Sequence, residues 1–159
     1  MAYTREGILR MEKSILNELA WSLSCLTVPT PYVFLVRFLK AAKSDKEMED
    51  MVFFYAELAL MQYSMMITHC PSMIAASAVY AAQCTLKKSS LWSEMLRHHT
   101  GFTETQIIDC MKLWLRYHSS AADGKLKVVY GKYSIPDRSA VALLPPADLS
   151  QESKKAAAI

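Results

Sequence analysis

Apolar residues recur along most of this chain at intervals of three and four, the spacing of one face of an α-helix. The stretch Pro71 to Leu86, PSMIAASAVYAAQCTL, departs from that pattern in an informative way. It carries five alanines and no charged side chain. A helix drawn through it is small or apolar on every face, which predicts burial on all sides. Alanine is the strongest helix former and lets neighbouring backbones approach closely. The pattern therefore predicts an all-α fold with this helix at its centre.

The remaining elements follow in order. Thr4 caps a helix running to about Ala20, with Ile8, Leu9, Ile15, Leu16 and Leu19 on one face and Glu12 among them. Glu12 fits either a boundary carboxylate half in solvent or a contact kept for a basic partner. Gly7 weakens this helix, by up to roughly 1 kcal/mol against alanine. Trp21 to Val28 is a connector. Thr30-Pro31 opens a helix through Ala42, with Tyr32, Leu35, Val36 and Leu39 inward and Arg37, Lys40 and Lys43 outward. Ser44-Asp45-Lys46-Glu47 forms a capping box for a long helix to about Tyr63. The central helix comes next, after a turn at Thr68 to Pro71, and a short helix from Leu91 to about His99 stops at Gly101. A second capping box, Thr103 to Gln106, starts a helix to about Ala122 with Ile107, Ile108, Met111, Trp114, Leu115 and His118 on its apolar face. Lys125 to Tyr133 is a last helix with Leu126, Val129 and Tyr130 inward. Val141 to Leu144 is an apolar strap, and the tail from Asp148 is expected to be disordered. The β-prone run from Val33 to Phe38 is assigned to helix by its cap and proline.

Composition narrows the function classes. The chain has 159 residues, 52% hydrophobic, with a net charge of +3, enough to bury a core without staples. Lys and Arg are spread along it and form no cluster of the kind phosphate recognition needs, so no nucleic-acid partner is expected. The uncharged run from Leu58 to Leu86 is broken by Gln62, Ser64, Thr68, His69 and Pro71 and turns alanine-rich, which argues for two buried helices and no membrane span. Four cysteines without close spacing predict reduced thiols. Four glycines leave no phosphate-cradling loop. His98 and His99 adjoin and point to different sides of a helix, and His69-Cys70 lacks further ligands, so no metal is expected. Glu57 is the only acid between Asp50 and Glu94, which leaves paired carboxylates no home. Met48, Met51, Met61, Met65, Met66 and Met73 fit core filling. No catalytic residue, cofactor or small-molecule substrate is expected.

Several motifs in sequence resemble B-type mitotic cyclins, particularly those of plants: ILRMEKSIL, LTVPTPYVFLVRFLKAA, EMEDMVFFYAELALMQY, PSMIAASAVYAAQCTLKK, LRHHTGFTETQIIDCMK, KLKVVYGKYS and AVALLPPA. The resemblance covers about Tyr3 to Ala147. It implies that residues 1–28 hold the last helix of a first cyclin fold plus a connector. Residues 29–147 would form a single five-helix C-terminal cyclin fold centred on the alanine helix, and residues 148–159 a tail.

The family activates a cyclin-dependent serine/threonine protein kinase by binding it, does no chemistry itself, and works in nucleus and cytoplasm. Carried over by position, the implied kinase-facing residues are Glu12, Leu16, Trp21 and Leu23. Extra residues in the connector Trp21 to Val28 leave either Leu23 or Leu26 in the last of these places. Starting at Met1, the chain is expected to lack nearly all of the first cyclin fold. With it would go most of the kinase interface, the substrate-docking patch and the N-terminal destruction signal. The expectation is therefore a kinase regulator weakened by truncation; a non-activating interaction module and a non-functional truncated product are the alternatives.

Overall fold

The structure is a computed structural model that describes residues 3–22, 31–89, 91–124 and 127–148. All regular structure in those residues is helical. The chain divides into two compact units, residues 1–30 and residues 31–159.

The first unit holds one helix, α1 (Arg5–Glu18). Thr4 caps it as expected, its side-chain oxygen accepting from the Gly7 N–H at 3.1 Å. At its other end the Ala20 N–H bonds the Asn17 carbonyl and the Trp21 N–H reaches back to the Leu16 carbonyl at 2.8 Å. This is the six-to-one closure of a Schellman motif, which needs a left-handed residue after the helix. Ala20 (φ 48°) and Trp21 (φ 59°) both adopt that conformation although neither is glycine, and each such residue costs on the order of 1 kcal/mol.

In the second unit the helices are α2 (Pro31–Ala42), α3 (Lys46–Leu60), α4 (Tyr63–Thr68), α5 (Pro71–Thr85), α6 (Glu94–Thr100), α7 (Glu104–Ala121) and α8 (Val128–Tyr133). Two single-turn 3₁₀ segments follow, Pro136–Arg138 and Val141–Leu143. α5 is the alanine helix, and every residue from 74 to 85 is buried. It packs against α2, α3 and α7 together. Small side chains on all sides make those close approaches possible.

Other sequence expectations are corrected. The long third helix ends at Leu60, and the separate α4 occupies part of the interval assigned to it and to a turn. The cap of α3 is Asp45, whose carboxylate accepts from the Met48 N–H at 2.9 Å. Ser44 instead closes the end of α2, donating to the Leu39 carbonyl at 3.2 Å. A carboxylate complements the positive N-terminal end of a helix better than a hydroxyl does. Tyr32, expected inward, is 60% exposed and stacks on Phe53 with centroids 5.6 Å apart, while Phe38 takes the buried place. At the expected stop of α6, Gly101 is left-handed (φ 75°). The Thr103 N–H donates to the Gln106 side chain at 2.8 Å, as a capping box requires.

The core of the second unit is one cluster with Trp114, Tyr55, Tyr133, Phe38 and Phe54 among its largest members. Met48, Met51 and Met65 lie in it, and Met61, Met66 and Met73 pack partly buried against it. Of the inward residues assigned to the last helix, Val129 is buried and Tyr130 half-buried, while Leu126 lies outside the described residues. The strap also behaves as its apolar composition demands at one end, with Val141 and Ala142 buried and Leu143 exposed. The tail beyond Asp148 lies outside the described residues.

Candidate functional site

α1 buries none of its residues. Its apolar face is displayed rather than packed, with Ile8, Leu9, Met11 and Ile15 each more than half exposed. Exposed apolar side chains gathered on one helical face mark an interaction surface. Glu12 is exposed, and Leu16, one helical turn further on, is half-buried. Residues four apart share a face, so carboxylate and leucine present together. Trp21 is 63% exposed. Its ring is nevertheless held in place, since the indole N–H donates to the Asn17 side-chain oxygen at 3.1 Å. The left-handed turn at Ala20 and Trp21 sets the direction in which that ring leaves the helix end. Leu23 and Leu26, the alternatives for the fourth position, both lie outside the described residues.

The structure thus brings Glu12, Leu16 and Trp21 onto one short element as an acceptor, an aliphatic contact and an oriented aromatic. Aromatic anchors of this kind dominate interface energetics. What the arrangement can do chemically is recognise a surface. Among its described residues no nucleophile is paired with a base.

The second unit has polar clusters of its own. The Tyr55 hydroxyl lies 2.9 Å from Thr85 Oγ1 and 3.1 Å from His118 Nδ1, and His118 Nε2 lies 3.3 Å from the Ala142 carbonyl. Burial pushes the His118 imidazole below its usual pKa and the Tyr55 phenol above its own. The Trp114 indole donates to Ser77 Oγ at 2.9 Å, and Ser77 lies 3.0 Å from Cys110 Sγ. Burial raises the Cys110 thiol to about 11, which keeps it protonated and unreactive. Cys70 and Cys110 are free thiols, while Cys25 lies outside the described residues. Asp50 is buried, accepting from Ser139 at 2.7 Å with Arg138 at 3.8 Å, and Glu57 accepts from Lys132 and Tyr133. These contacts tie the C-terminal segment to α3 and α7. Each polar group spends its bonding on the fold.

The imidazoles of His98 and His99, expected on different sides of their helix, meet edge to face with centroids 5.5 Å apart. Sequence reasoning passed over the grouping of Arg37, Lys40 and Lys43 with Val33 and Met95 along one groove. The three- and four-residue spacing on α2 was visible, but the α6 side of the groove was not.

Residues 29–147 match the cyclin C-terminal domain. The G2/mitotic-specific cyclin S13-7 of Glycine max is 56% identical over 151 residues, an alignment spanning 95% of this chain and 57% of that protein. Cyclin-B1-5 of Oryza sativa subsp. japonica is 57% identical over 92% of this chain and 32% of its own length. The G2/mitotic-specific cyclin-2 of Antirrhinum majus is 56% identical over 91% and 32%. The chain therefore spans between about a third and somewhat over half of these relatives. With an alanine-rich helix buried at the centre of an all-α unit and a matching domain over most of its length, the chain belongs to the cyclin family and resembles the C-terminal part of plant B-type mitotic cyclins.

Proposed function

We propose that this chain is a regulatory subunit that binds a cyclin-dependent serine/threonine kinase in mitotic cell-cycle control, acting in nucleus and cytoplasm and doing no chemistry itself. The observation that carries this reading is α1: a capped helix with an unburied apolar face, an exposed carboxylate at Glu12 and an oriented Trp21. In it Glu12 accepts from a kinase side chain, while Leu16, Trp21 and Leu23 make apolar contact. Residues 1–28 form the contact element and residues 29–147 the supporting cyclin fold. Such a subunit acts by preferring one state of its partner. A contact confined to one helix and a connector is well below about 1,000 Å², a size typical of weak or transient complexes.

A non-activating interaction module is the second reading, favoured by the self-contained core of residues 31–159. Titrating the purified chain against a purified mitotic kinase, with binding and histone phosphorylation followed together, separates the two. Binding with a rise in phosphorylation supports the regulatory subunit, and binding without it supports the module. Absence of binding at high micromolar concentration defeats both. A Glu12→Ala, Trp21→Ala double variant loses most of the binding in a pull-down; unchanged capture removes α1 as the contact.

A further inference from the structure

A groove of about 550 Å³ lies between α2 and α6, wholly within the second unit. Its apolar lining includes Val33, Val36 and Met95, and its charged lining is Arg37, Lys40 and Lys43. Among the described residues no acidic side chain lines it. Val33 is 59% exposed and Met95 52%, so the apolar part is open to a visitor. Arg37, Lys40 and Lys43 are exposed, and the ion pairs among the described residues involve other cations.

Part of this has a purely structural explanation. Lys40 and Lys43 lie at the C-terminal end of α2, where cations complement the helix dipole. That leaves Arg37, in the middle of the helix, and the two exposed apolar side chains unaccounted for. Positions 33, 36, 37 and 40 form a single stripe on α2, with Arg37 and Lys40 one turn, roughly 5 Å, apart along the axis. Lys43 lies just past the helix end in a left-handed turn (φ 51°). Nucleic acid would use the cations but has little use for the apolar lining. A chain with large apolar side chains set among carboxylates uses both.

We propose that the α2–α6 groove docks an acidic peptide segment carrying an apolar anchor, a site separate from the α1 face and independent of the kinase reading. The anchor fills the space bounded by Val33, Val36 and Met95, and its flanking Asp and Glu side chains meet Arg37, Lys40 and Lys43. Complementary charge fixes register and steers association, while the buried anchor supplies residence.

The test uses the full chain and a panel of synthetic 15-residue peptides. Each carries Leu, Ile or Phe at three- or four-residue spacing among Asp and Glu. Control peptides have every acid changed to its amide, or every anchor changed to serine. The acidic anchored peptides are expected to shift the amide resonances of residues 33–43 and 95–99. Affinity falls at least about tenfold in R37E/K40E, with a similar loss in Met95→Asp, and both controls lose binding. These positions are exposed, so unchanged melting temperatures certify the variants. The wild-type shift map and its loss at high salt read the site without any substitution. The proposal is overturned if no panel member binds, if binding survives R37E/K40E in a folded variant, or if single-stranded RNA binds these positions as tightly as the best peptide.

Discussion

Tyr55 on α3 and His118 on α7 meet through a buried hydrogen bond of 3.1 Å across 63 positions of sequence. The proton positions follow by elimination. A carbonyl only accepts, so His118 Nε2 donates to Ala142. The buried imidazole is neutral, so its Nδ1 accepts, and the Tyr55 hydroxyl donates to it. Thr85 then donates to the Tyr55 oxygen at 2.9 Å. Four elements are joined by one directed chain with no group left over.

Removing the Tyr55 hydroxyl breaks that chain in two places. Tyr55→Phe leaves Thr85 Oγ1 and His118 Nδ1 buried without their shared partner. Leaving such groups unsatisfied costs about 2 kcal/mol or more. Melting followed by circular dichroism should drop by roughly 8 °C. A variant melting within a degree of the parent would show that the chain contributes nothing net.

His118 also makes stability depend on pH. Its folded pKa is depressed below the ordinary 6.5 by burial, so between the two values the unfolded state binds more protons. The contribution is complete above the unfolded pKa and is lost as pH falls through the folded one. The melting temperature should therefore decline from pH 7.5 towards pH 5. His118→Gln, which cannot charge, should show a flatter profile even though it starts lower. Parallel slopes for the two proteins would rule out this histidine as the source.

Growth of a side chain on α5 should be poorly tolerated. Ala78 is fully buried, and Ala78→Leu must displace a neighbouring helix, at a cost of about 3 kcal/mol. Denaturant titration would register this as an earlier midpoint with an unchanged slope. A midpoint equal to the parent's would mean unoccupied space beside that residue.

Proteolysis should distinguish the two units. An isolated helix of 14 residues is marginal in water, and α1 buries none of them. Trypsin should cut at Arg5, Arg10 and Lys13 first, leaving a resistant fragment that begins at Ser14, because the next basic residue is Arg37 within α2, and mass spectrometry can identify it. Survival of Arg10 and Lys13 as long as the core would require α1 to be covered in solution.

Much of this fold was legible because its signals are local. Pro31, Pro71, Gly101 and Thr103 act through their own backbone geometry, and each stands at the helix end expected of it. The uncharged, alanine-rich run of residues 71–86 announced burial without any knowledge of neighbours. The errors arose where the deciding atom is remote or two local choices compete. Ser44 and Asp45 could each cap α3, and the choice turned on Ser44 being used by Leu39. Tyr32 stacks on the half-buried ring of Phe53 instead of entering the interior. The partners of Tyr55 lie 30 and 63 positions away, beyond any periodicity. At the candidate site Glu12 stood out as a carboxylate in an apolar stripe. The turn that orients Trp21 did not, because alanine and tryptophan are poor advertisements for a left-handed backbone.

The all-round burial of α5 has a consequence for how residues 31–159 come together. An amphipathic helix can rest on half a core with its polar face in water, so its domain can assemble by halves. α5 has no such face, and any state retaining it without α2, α3 or α7 exposes an uncharged alanine-rich flank. Partly assembled forms are therefore penalised, and the second unit should form and melt as one cooperative event.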